Sequence, residues 1–137
     1  MSTKKPFLIL ALFLGVFSIL QAQKQIDSIP KIRIYYFHAT NRCDACIACE
    51  NVCLETLQES FVKELEQQTI VFKAINIDED QNKSIVDQYK IQFSTLLFVD
   101  QKGNVTDLSD KAFETSIDNP LKYKEIIQNE VYRILNE

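Results

Sequence analysis

The chain has 137 residues but only two glycines, three prolines, one histidine and no tryptophan, and it has no cysteine outside an eleven-residue window. Each scarcity excludes something. Beyond residue 22 the one glycine is Gly103, so the Gly-rich loops that cradle phosphates are missing, and nucleotide cofactors held that way are excluded. No flavin or nicotinamide site is visible, and no cofactor is expected. Basic charge is also short: 15 Lys and Arg stand against 19 Asp and Glu, for a net charge of −4. Phosphate binding needs a basic patch, so nucleic acid is not an expected partner.

At the N-terminus Lys4 and Lys5 precede Phe7 to Leu20, an uncharged apolar run of 14 residues. That is the length of a signal-peptide core and short of the roughly 20 residues a spanning helix needs. Cleavage after Ala22 is expected, although Leu20 departs from the small residue usual at that place. Residues 1–22 are thus read as a secretory signal peptide and 23–137 as one domain; the alternative is an uncleaved N-terminal anchor. No cysteine lies near the junction, which argues against a lipid anchor. Removal of the leader takes the net charge to −6. The expected location is periplasmic or otherwise exported, a setting in which disulfides form and persist.

Beyond the leader, Lys31 to Phe37 (KIRIYYF) is a β-branched and aromatic run of strand length, in which one of Tyr35 and Tyr36 is expected to face the core. Thr40 and Asn41 suit a helix N-cap. Apolar residues Cys46, Cys53, Leu57, Phe61 and Leu65 recur at helical spacing, predicting a helix from Cys46 to about Gln67. Ile70 to Ile77 reads as a largely buried strand and Asp80 to Lys90 as a short helix, with Asp78, Glu79 and Asp80 as its solvated cap. Thr95 to Val99 and Val105 to Leu108 read as strands joined by a turn at Gly103, the one expected antiparallel pairing. Asn119 and Pro120 suit the cap and first position of a last helix. The expected class is α/β, in the order β-α-β-α-β-β-α, with a central mixed sheet and helices on both faces.

The chemistry is expected at Cys43, Cys46, Cys49 and Cys53. Cys43 falls at the helix start, where the backbone dipole favours an anion, and Arg42 adds a cation. Asp44 opposes it. Cys46, one turn on, should be less exposed, which makes Cys43 the attacking thiol and Cys46 the resolving one. A permanent surface disulfide is the bland alternative. Cys53 falls within about 20° of Cys46 around the helix, on the apolar stripe, and reads as core filler. Cys49, about 60° away at the stripe's edge, is a candidate third thiol.

Two metal readings compete. The spacing Cys-x2-Cys-x2-Cys-x3-Cys matches an iron–sulfur ligand run, but Leu54 replaces its proline and a continuous helix spreads Cys43 and Cys53 about 15 Å apart, too far to wrap one cluster. The softer option is Zn, Cu(I) or trivalent arsenic held by Cys43, Cys46 and Cys49. No resident metal is expected. His38, the only histidine, is either a proton shuttle under the thiols or a strand-end group bonded to a neighbour.

YYFHATNRCDAC before a long helix, with YKIQFSTLLFVDQKGN later, resembles the thioredoxin fold over nearly the whole of 23–137. The resemblance implies the same roles for Cys43 and Cys46, and it places Ser94 beside them. Three positions depart from it. Arg42 stands for the usual aromatic residue, Asp44-Ala45 for Gly-Pro, and Phe93-Ser94-Thr95 lies where a cis-proline is expected. More narrowly, FHATNRCDAC followed by a Cys-Glu helix resembles the exported thioredoxin-like proteins of bacterial arsenical-resistance operons, the ArsF-type nitro-compound nitroreductase subunits. That implies a thiol–disulfide oxidoreductase, or an electron-passing subunit tied to nitro-aromatic or arsenical reduction. Its partner would be a protein disulfide or redox protein, such as a membrane reductase or permease, and the chain itself a monomer. The competing class is a soft-metal or metalloid binding protein.

Overall fold

A computed structural model describes residues 29–137, and the expected leader lies outside them. Strand β1 (Ile32–His38) is the second strand of four in the order β2-β1-β3-β4. It pairs in parallel with β2 (Ile70–Asn76), Ile32 opposite Ile70, and antiparallel with β3 (Thr95–Asp100), Tyr36 opposite Leu96. Strand β4 (Val105–Asp107) closes the sheet antiparallel to β3. The expected single antiparallel pairing is therefore two. The reason is length. Helix α3 (Lys83–Tyr89) rises only about 10 Å, less than half the roughly 23 Å of a seven-residue strand. By itself it does not return the chain to the foot of the sheet; the chain re-enters at the top, where Ser94 lies beside Cys46, and β3 descends.

Side chains alternate along β1 between two packed faces. Ile32, Ile34 and Tyr36, with Leu96 and Phe98, meet helices α1 (Asp44–Ser60), α4 (Ser109–Thr115) and α5 (Pro120–Leu135). Tyr35 and Phe37, with Leu97 and Val99, meet α3 through Ile85, Val86 and Tyr89. Both tyrosines are buried, where one was expected to be, because helices cover both faces. The sheet is mixed and flanked on both sides, which is the thioredoxin-like arrangement.

Four other expectations are corrected. The long helix begins at Asp44 and breaks at Phe61, whose φ of −136° and ψ of 34° are not helical; α2 (Val62–Glu66) follows. Phe61 stays buried in an edge-to-face contact with Tyr132, so the break preserves the apolar spacing that suggested one helix. The cap of α1 is Cys43 rather than Thr40 or Asn41. Strand β2 is an edge strand with Lys73 and Ala74 exposed, not a buried one. Helix α4 fills a stretch expected to be loop, so the order gains a helix before the last.

Helix α5 forms as its sequence dictates. Asn119 Oδ1 accepts from the Lys122 N–H at 3.1 Å, Pro120 opens the first turn, and Tyr123, Ile127, Val131 and Ile134 form one buried face. Burying each of the aliphatic side chains contributes about 1.5–3 kcal/mol. Among the described residues no helix is long and apolar enough to cross a membrane.

Candidate active site

The carboxyl end of β1 delivers the chain to α1 through residues 39–43, and Asp78 fixes the path of that loop. Its Oδ2 accepts from the Thr40 N–H at 2.7 Å, which holds the Asp78 carboxyl below the usual carboxylate range. Asp78 thus braces the thiol loop instead of capping the next turn, where Glu79 makes no side-chain cap.

Cys43 has extended backbone at the N-cap, and its Sγ accepts from the Cys46 N–H at 3.4 Å. A sulfur there takes the place of the oxygen that usually satisfies a helix N-terminus. The two sulfurs are 2.8 Å apart, longer than the roughly 2.05 Å of a disulfide. Both cysteines are free, Cys43 exposed and Cys46 half-buried. From the segment before β3, Ser94 Oγ comes within 3.6 Å of Cys46 Sγ. Burial of Cys46 opposes its ionisation, but hydrogen bonds from Cys43 and Ser94 and the charge of Arg42 outweigh it, and the thiol is lowered from its ordinary value.

Arg42 does not point at Cys43. Its Nη2 donates to the Cys46 carbonyl at 3.1 Å, the guanidinium lies 5.7 Å over the Tyr36 ring, and Nη2 is 2.5 Å from Glu50 Oε2. Tyr36 Oη donates to the same carbonyl at 2.7 Å. Tyr36 and Glu50 are therefore part of the site, and the sequence did not single them out for it. The only available signal was Glu50 one turn beyond Cys46.

Cys49 and Cys53 belong to the core beneath. Cys49 is buried, and its thiol donates to Ser116 Oγ at 3.3 Å. It lies mid-stripe, not at the edge, because α4 packs against α1 there. Burial raises its thiol despite the bond to Ser116. Cys53 is buried among apolar side chains, and burial pushes its thiol up strongly. Among the described residues no three His, Cys, Asp or Glu side chains are gathered to hold a metal ion; the alternative ligand set Cys43, Cys46 and Cys49 is not assembled. His38 has Nδ1 3.0 Å from the Ala39 carbonyl and stacks on Tyr36, so it sits as a strand-end group bonded to its neighbour.

The structure therefore brings together Cys43, Cys46, Arg42 and Ser94 and leaves Cys49 and His38 in other surroundings. Two exposed apolar side chains neighbour site residues in sequence: Ile47, next to Cys46, is 42% exposed, and Phe93, next to Ser94, is 71% exposed.

No known family model matches the chain, and no curated protein matches it. Among solved structures, a malarial protein aligns at 16% identity and a TM-score of 0.42, over 56% of this chain and 80% of that one. A thioredoxin from Thermus thermophilus aligns at 19% identity and a TM-score of 0.33, over 57% of this chain and 58% of that one.

Proposed function

We propose that the chain is a thiol–disulfide oxidoreductase working through Cys43 and Cys46. The observation that carries this is the contact itself: two free sulfurs 2.8 Å apart at a helix N-terminus, one of them exposed. The lowered Cys46 thiol ionises more readily, and the thiolate is the reactive form of a cysteine. Whichever sulfur holds the charge at rest, Cys43 is the one that reaches a partner.

In the first step Cys43 thiolate attacks one sulfur of a partner disulfide. A mixed disulfide forms, and the partner's other sulfur leaves as thiolate and takes up a proton. In the second, Cys46 loses its proton and attacks Cys43 Sγ. The Cys43–Cys46 bond forms and the partner's second sulfur departs. Two electrons pass to the partner, and the same steps reversed oxidise a partner dithiol. Ser94 steadies Cys46 as its charge develops. Ile47 and Phe93 offer apolar surface for a polypeptide partner.

Resemblance to the ArsF type extends this proposal to an exported, electron-passing subunit that serves nitro-aromatic or arsenical reduction. Its partner would be a redox protein such as a membrane reductase or permease, because this chain holds no nucleotide-binding loop of its own. Alkylation and mass spectrometry, with and without reductant, test the core of the proposal together with metal analysis. The expected result is reversible loss of two hydrogens between Cys43 and Cys46 and no stoichiometric metal. Disulfide reduction that survives Cys43→Ser, or a metal that co-purifies one to one, would sink it.

A further inference from the structure

Arg42 is held where a free surface arginine would not stay. Its side chain is 22% exposed and that of Glu50 19%, and the two are in ionic contact. Neither Arg42 Nε nor Glu50 Oε2 finds a well-directed hydrogen bond, although both atoms are buried. Exposed ion pairs contribute little, and for a pair drawn out of water the desolvation cost can exceed the Coulombic gain. Stability alone is therefore a weak reason for an ion pair one helical turn beyond Cys46. The guanidinium ends on the carbonyl of Cys46, the residue whose sulfur must gain and lose charge.

We propose that Glu50 is a positioning residue that acts through Arg42. Its carboxylate pins the guanidinium against Cys46 and at the same time offsets part of its charge, so the ion pair tunes the Cys46 thiol. This rests on the dithiol reading and adds the device that tunes it. Other groups face Cys46 as well: Cys43 from the loop, Ser94 from the segment before β3, Tyr36 from β1 with His38 stacked on it, and Asp44 and Cys49 on its own helix. Among these, Arg42 is the cation whose charge lowers the Cys46 thiol. Glu50 in turn raises the Cys53 thiol on the next turn.

The test is the pH dependence of iodoacetamide alkylation of the reduced protein, read at Cys43 and Cys46 by mass spectrometry. Glu50→Gln keeps the shape and removes the offsetting charge. It should move the midpoint to lower pH, giving about threefold more thiolate below it. Arg42→Met should give about threefold less, with Arg42→Gln as the second variant if the first does not fold. In the Arg42→Met background Glu50→Gln should have less than its full effect, since only the carboxylate's own screened field is left to remove. A Glu50→Gln profile that matches the parent overturns the inference, as does a double variant that keeps the full gain. Because the titration uses reduced protein, its outcome is independent of whether a Cys43–Cys46 disulfide forms on oxidation. Coupled titration without that disulfide would discard the oxidoreductase reading and keep this one.

Discussion

Replacing Cys53 by serine and Cys49 by serine should have unequal consequences, although both residues are buried cysteines on α1 one turn apart. The thiol of Cys49 already donates to Ser116 Oγ at 3.3 Å, so a hydroxyl there inherits a partner. Cys53 is packed among apolar side chains. On a helix a serine can fall back on the carbonyl four residues earlier, here that of Cys49. That oxygen already accepts Tyr123 Oη at 3.1 Å as well as its own helical N–H, and a carbonyl has two lone pairs. The new hydroxyl at 53 is left without a good acceptor.

An unsatisfied buried hydroxyl costs about 1–3 kcal/mol, whereas a satisfied exchange stays below about 1 kcal/mol. With a urea slope of about 1.5 kcal/mol per M, a loss of 2 kcal/mol lowers the unfolding midpoint by roughly 1.3 M. Cys49→Ser should move it by less than half of that. Equilibrium urea unfolding under reducing conditions, followed by far-ultraviolet circular dichroism, reads both variants directly. A Cys53→Ser midpoint equal to the parent's would refute the core assignment. A Cys49→Ser midpoint lower than that of Cys53→Ser would refute the role of Ser116.

Ser94→Ala removes the hydroxyl 3.6 Å from Cys46 Sγ, one of the groups that lowers that thiol; alkylation of the pair should then shift to higher pH, with about threefold less thiolate at a given pH, and an unchanged profile would remove Ser94 from the site. Asp78 has its carboxyl held below the usual range in the folded chain, so its stabilisation is fully present above about pH 3.9 and is lost as pH falls through the lower folded value. Asp78→Asn should flatten that acid limb in urea midpoints taken from pH 6 to pH 3, and an unaltered limb would show that the Thr40 bond does not matter.

What the sequence disclosed depended on whether a local signal and the tertiary structure agreed. Strand β1 was legible because seven residues, IRIYYFH, combine β-branched and aromatic types. Helix α5 was legible because Asn119-Pro120 marks its start and its apolar residues keep one period. Helix α4 was not, because SDKAFET is seven residues long and buries only Ala112, too little for a periodic pattern to show. The break at Phe61 was silent for the opposite reason: the apolar spacing continues through it. The sense of β3 depended on the length of α3 and not on any residue within β3 itself.

The unequal fates of the four cysteines follow from where helix α1 meets the sheet. Cys46 and Cys53 share nearly the same phase around the helix, about 20° apart, yet one is half-buried and the other fully buried. Phase therefore does not separate them; axial position does. Cys43 and Cys46 lie in the turn that leads out of the loop after β1, where polar groups from Tyr36, Arg42 and Ser94 approach. Two turns on, Cys53 lies within the layer formed by α5 and the sheet. Cys49 has moved to the middle of the buried stripe because α4 widens the covered face. The same helix thus holds one thiol pair at its polar, charge-bearing tip and another pair in its apolar body, where burial raises both thiols and suppresses the thiolate. Exposure along the run CDACIACENVC is graded by depth, and so a ligand-like spacing of four cysteines places two accessible sulfurs at the helix tip and two in the core.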